Sequence, residues 1–87
     1  MFAGAPYIGE GIIHNLSHAG CLVECERTVL EGSYMTVRVL LPDDIRALGI
    51  ELAAVRWTRR QYFGVEFLRL RASEHTRLER FLSAHRR

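Results

Sequence analysis

Asn15, Ser17 and Gly20 stand in the order N-x-S-x-x-G. Asn and Ser side chains accept backbone hydrogen bonds in turns, and Gly supplies a positive φ or a close backbone approach. As physics alone, the trio is a polar turn between strands. His14 and His18 flank Ser17 and set a nucleophile near two bases. No G-x-S-x-G elbow surrounds that serine and no acid/base pair of carboxylates is evident, so no enzyme is expected. His14, His18, Cys21 and Cys25 form H-x3-H-x2-C-x3-C, a set of zinc-compatible donors with poor spacing. On one strand the two Cys would lie about 13 Å apart, whereas a disulfide needs less than about 7 Å. Free core thiols and no metal are therefore expected, as suits a reducing compartment. Asn15-Leu16-Ser17 also matches a glycosylation sequon, which carries no weight without a secretory signal.

The second chemistry belongs to arginine. All twelve basic residues are Arg, and the planar guanidinium fork binds oxyanions bidentately as Lys does not. Arg56, Arg59 and Arg60 cluster around an expected hairpin tip, with Trp57 and Tyr62 as stacking surfaces. Such a patch suits an anion or nucleotide; the simpler alternative is a solvated charged rim. Arg38 joins it only if strand pairing brings it near. The net charge of +2 is too small for blanket attraction to nucleic acid.

These groups need elements to place them. The 87 residues allow one domain, 1–87, and 48% hydrophobic with 25% charged residues marks a globular chain. No stretch approaches the roughly 18 apolar residues of a membrane span, and no secretory signal opens the sequence. A cytoplasmic protein is expected. Residues 1–10, rich in Gly with Pro6, read as an irregular arm. Ile12-Ile13-His14 and Cys21 to Glu26 form a hairpin around the polar turn, with Cys21, Val23 and Cys25 on one face. Tyr34 to Leu41 alternates clearly and ends at Pro42-Asp43-Asp44. A long strand over 47–58 changes phase, with Ile50, Leu52 and Ala54 on one face and Val55 and Trp57 on the other. That calls for a β-bulge near Ala53-Ala54. Tyr62 to Leu70 is the last strand. Ser73 is the expected N-cap of a helix over 73–86 docked by Leu78, Phe81 and Leu82, with His85 continuing the stripe. The fold class is mainly β: a small antiparallel barrel of five to six strands with one C-terminal helix.

In the stretch Gly11-Ile12-Ile13-His14-Asn15-Leu16-Ser17-His18-Ala19-Gly20-Cys21-Leu22-Val23, the chain resembles the PilZ domain, a bacterial family that senses cyclic di-GMP. Val37 to Pro42, Ala54 to Trp57, Phe63 to Leu68 and the Leu78/Phe81/Leu82 helix follow in PilZ order, so the resemblance runs from about Gly9 to Leu82. It implies a PilZ-like β-barrel and a non-enzymatic binding module. It also implies that Asn15, Ser17 and Gly20 contact a guanine of cyclic di-GMP. The family's other motif, R-x-x-x-R on an arm before the first strand, grips phosphates and guanine edges. Residues 1–14 contain no Arg. Arg56 and Arg60 do have that spacing, but far downstream on a strand end and turn, so the role does not transfer to them. The resemblance thus implies an adaptor with weakened or lost nucleotide binding. It would act through a protein partner in motility or type IV pilus type processes. A short arm that lacks the usual first strand would leave a sheet edge open for a homodimer. The alternative is a working cyclic di-GMP receptor that uses N-x-S-x-x-G plus Arg from elsewhere. A third reading is a small barrel that binds single-stranded nucleic acid.

Overall fold

The computed structural model describes residues 2–4, 7–9, 11–26, 29–41 and 46–84, the first six as backbone. The strands are β1 Phe2–Gly4, β2 Tyr7–Gly9, β3 Ile12–His14, β4 Gly20–Glu24, β5 Tyr34–Val39, β6 Leu48–Arg59 and β7 Tyr62–Arg69. Helix α1, Ala72–Ala84, closes the order. The strands form one antiparallel sheet ordered β2-β1-β5-β6-β7-β4-β3. Its two end strands, β2 and β3, are neighbours in sequence. That is the connectivity of a small curled barrel, and the helix packs on it.

The five strands read from the sequence are all present. The arm over 1–10 is not irregular throughout, because β1 and β2 form a short hairpin there and β1 pairs with β5. The first strand expected to be missing is thus present, and it covers one edge of β5. Two three-residue strands bounded by Gly and Pro are too short to show a period in sequence. The Pro42-Asp43-Asp44 turn and the helix positions after Ala84, His85 among them, lie outside the described residues.

The core is the inward stripe of each strand. Val23, Val37, Leu48, Ile50, Val55 and Phe63 are its largest fully buried strand side chains. Cys21 and Cys25 lie in it as free thiols. Burial pushes the Cys21 thiol up to about 12, since a thiolate there would lose its hydration. Leu78 is fully buried, and Phe81 and Leu82 pack beside it. The helix is pinned by Glu74, whose carboxylate accepts the Gly49 N–H at 2.7 Å and two bonds from Arg77 at 3.1 Å. Burial pulls the Glu74 pKa up, but the Gly49 N–H and the Arg77 and Arg46 charges outweigh it. Its carboxyl is held below the ordinary value. Ser73 is not the N-cap: the helix begins at Ala72, and Glu74 and His75 donate their N–H groups to the Arg71 carbonyl.

β6 carries two irregularities. One lies between Ile50 and Ala53, where β6 has one residue more than β5 opposite it, close to the expected phase change, and Ala53 rather than Leu52 faces inward. The second falls between Val55 and Trp57 and leaves Arg56 as an extra residue opposite β7. An extra residue inverts the alternation beyond it. Val55 and Trp57 therefore do not share a face: Val55 is buried and Trp57 is 42% exposed.

Candidate functional site

The polar turn between β3 and β4 is built by its own residues. Asn15 leaves β3 with φ of +51°, a left-handed conformation that Asn tolerates better than most residues. The Ser17 hydroxyl accepts the N–H groups of Ala19 and Gly20 and donates to the Gly20 carbonyl, each at 3.2 Å. The Ser17 N–H donates to the same carbonyl at 2.9 Å. Gly20 opens β4 where the strand meets β7. A Cβ there would drive into the Val65 carbonyl oxygen and sit 3.3 Å from the Glu66 Cα. Next to it, the Phe67 N–H donates to the Ala19 carbonyl at 2.8 Å. Each member of N-x-S-x-x-G thus has a local structural task.

The outer face of β7 supplies the neighbours. Gly64 lies between the inward residues Phe63 and Val65 and pairs with Leu22 on one side and Trp57 on the other. The Trp57 indole lies across Gly64 and fills the space a side chain would take. Glu66 pairs with Gly20 and Ala54. Arg56, displaced by the bulge, reaches Glu66: its Nε and Nη2 both sit 2.6 Å from the same Oε1.

Together these residues line an open cleft of about 380 Å³. Asn15, Ser17, Gly20 and Leu22 form one wall, with Arg56, Trp57, Gly64 and Glu66 opposite. Arg59 and Arg60 do not line it. They sit at the β6–β7 tip, where Arg60 takes φ of +55°. The cleft therefore joins the turn motif to Arg56 alone of the three arginines and adds Glu66, which sequence reasoning missed. Glu66 was findable in principle as an outward residue of an alternating strand. Its partner was not, because Arg56 reaches it through an unexpected bulge.

His14 faces outward beside the cleft, with Nε2 3.0 Å from the Glu24 carboxylate and its ring 6.3 Å from that of Tyr62. Cys21 and Cys25 point into the core, so the histidine and the thiols occupy opposite faces of the sheet. Among the described residues no three His, Cys, Asp or Glu side chains converge as a metal site would require.

A curled antiparallel sheet with a docked C-terminal helix and an open cleft on its outer wall is an architecture suited to a small binding module. The family model described as PilZ domain matches residues 3–84, nearly the whole chain, and the chain belongs to that family. Membership makes it a signalling module of receptor or adaptor type, not an enzyme. No curated protein and no solved structure matches it significantly. Among the described residues no helix is long and apolar enough to cross a membrane.

Proposed function

We infer that this PilZ domain is an adaptor in which cyclic di-GMP binding is weakened and action runs through a protein partner. The observation that carries the reading is the Arg56–Glu66 pair inside the N-x-S-x-x-G cleft. Cyclic di-GMP is a dianion, and the cleft's described lining offers it one guanidinium already matched by a carboxylate. The arm supplies no Arg, since none occurs in residues 1–14. Removing Glu66 from Arg56 is cheap, because an exposed pair is worth about 0–1 kcal/mol. The carboxylate would still face the phosphates. Beside the cleft, the exposed apolar side chains of Trp57, Tyr62 and Ile12 suit contact with a protein. Processes of the motility or type IV pilus kind are the setting that the family suggests.

Calorimetric titration with cyclic di-GMP tests this. Affinity weaker than about 100 μM is expected for the native chain, with Glu66→Gln strengthening it severalfold. A micromolar or tighter isotherm abolished by Ser17→Ala would overturn the reading.

A second reading is a working receptor, favoured by Arg56 and Trp57 lining the same cleft as Asn15 and Ser17. It expects chemical-shift changes at both Asn15–Gly20 and the Arg56–Arg60 hairpin. An NMR titration without perturbation at millimolar ligand removes it.

A further inference from the structure

The outer wall beside the cleft ends in two arginines whose charge the fold does not use. Cross-strand register builds this wall in two rows over β6, β7, β4 and β3. Trp57, Gly64, Leu22 and His14 make one row, and Arg59, Tyr62, Glu24 and Ile12 make the next. Trp57, Tyr62 and Ile12 are exposed, and Leu22 is half-buried. The far corner is closed by the His14–Glu24 pair. The near corner is Arg59, with Arg60 next to it at the hairpin tip. Both are exposed, and among the described residues neither guanidinium has a hydrogen bond or an ion pair. Arg56, Arg71 and Arg77, by contrast, each meet a carboxylate.

The tip is fixed in place, and its backbone does not favour arginine. The Cys25 N–H donates to the Gln61 carbonyl at 2.7 Å and ties the tip to the end of β4. Arg60 opens the turn with φ of +55°, where Gly or Asn is the usual occupant because a side chain crowds the backbone. Folding alone therefore gives no reason for arginine at 60. Glu26, just beyond β4, is the described carboxylate nearest in the fold to Gln61, and it pairs with neither arginine. Glu10 and Arg27, next in sequence to Gly11 and Glu26, lie outside the described residues.

We propose that this wall docks an acidic segment of a partner protein, with an apolar side chain over Tyr62, Trp57 and Ile12 and carboxylates on Arg59 and Arg60. Such docking rests on the adaptor reading and gives its partner a chemistry. Guanidinium forks match carboxylates bidentately, and aromatic residues with Arg are the usual anchors of protein interfaces. The tie from Cys25 to Gln61 holds the tip ready, so little ordering is left to binding. A single-stranded nucleic acid fits the wall less well. Its phosphates recur at every nucleotide and would run past Glu24 and Glu66, whereas a peptide can place its carboxylates at the tip alone.

A randomised peptide display library, panned on the full chain, is the probe. Enriched sequences are expected to combine Asp or Glu with Trp, Phe or Leu. Synthetic copies are expected to shift the NMR signals of Ile12, Trp57 and Tyr62 and to bind more weakly as salt rises. Arg59→Gln and Arg60→Gln are each expected to weaken the selected peptide by about two- to fivefold. Arg60→Gly is expected to weaken it equally while melting no lower than the native chain, since Gly suits the positive φ. A lower Tm for Arg60→Gly would make that arginine a structural residue and overturn its part. No enrichment, enrichment of basic or uncharged sequences alone, or affinity unchanged when both arginines become Gln overturns the proposal. Displacement of the peptide by an equal concentration of oligouridylate overturns the choice of a protein segment. None of these outcomes bears on weakened cyclic di-GMP binding, which the calorimetric titration judges by itself.

Discussion

Gly20→Ala separates the structural task of the N-x-S-x-x-G motif from any ligand role. The added methyl has no rotamer to escape into, and its wall is backbone. It would drive into the Val65 carbonyl oxygen, with the Val65 carbonyl carbon at 3.2 Å and the Glu66 Cα at 3.3 Å. Relief requires β4 to retreat from β7 by about 1 Å, since overpacked cores yield only through such shifts. The ladder there is taut: Gly20 pairs with Glu66, and the Phe67 N–H reaches the Ala19 carbonyl at 2.8 Å. A retreat of that size takes this bond past hydrogen-bonding range, at about 1 kcal/mol. Overpacking adds about 1–3 kcal/mol, and the lower entropy of unfolded Ala returns about 0.4–1. The net expectation is roughly 2–3 kcal/mol of destabilisation. For a domain of this size that lowers Tm by about 10–20 °C. Thermal denaturation followed by circular dichroism, without nucleotide, reads it directly. If Gly20 serves ligand contact alone, the variant melts with the native chain. A Tm within about 2 °C of native would refute the steric argument.

Gly64→Ala meets a different wall, the Trp57 indole, whose Cε2 would lie 2.5 Å from the new methyl. A side chain can swing away, so the expected loss is smaller, about 1 kcal/mol, with a red shift in the fluorescence of the single tryptophan. An unshifted spectrum counts against the stacked arrangement. Cys21, with its thiol pushed up to about 12, is expected to stay unmodified by a maleimide at pH 7 until denaturant opens the core. Mass spectrometry showing rapid labelling of Cys21 in the native chain would contradict that. Glu74 has a lowered pKa, so its stabilisation is complete above the ordinary value of 4.5 and fades as pH falls through the lower native value. Glu74→Gln is expected to lower Tm at pH 7 and to leave a shallower acid-side decline than native. Parallel pH–Tm curves would show that the latch to Gly49 contributes nothing.

What could be read in the residues, and what could not, follows from the range of the interactions. Alternation showed β5 and β7 because Met35, Val37 and Val39, then Phe63, Val65 and Phe67, face one core at period two. Leu78 and Leu82 showed the docking stripe of α1 in the same way. The short strands β1 and β2 hold no period, and their place depends on a partner, β5, some thirty residues away. The phase change in β6 disclosed one bulge, because Ala53 and Val55 are apolar and mark the new face. The bulge at Arg56 left no such mark: a Trp beyond it is equally credible inside or outside a barrel. That one unseen residue decides the chemistry of the cleft. It carries Trp57 outward over Gly64 and aims Arg56 at Glu66, turning three evenly exposed arginines into one paired cation and two at a distant tip. The candidate motif was legible as a turn because its bonds are local, from Ser17 to Ala19 and Gly20. Its electrostatics were not, because they arise from cross-strand register. On the adaptor reading proposed above, affinity for a dianion at this wall is expected to respond to the Arg56–Glu66 pair, and Glu66→Gln, which spares every motif residue, is the substitution that tests it.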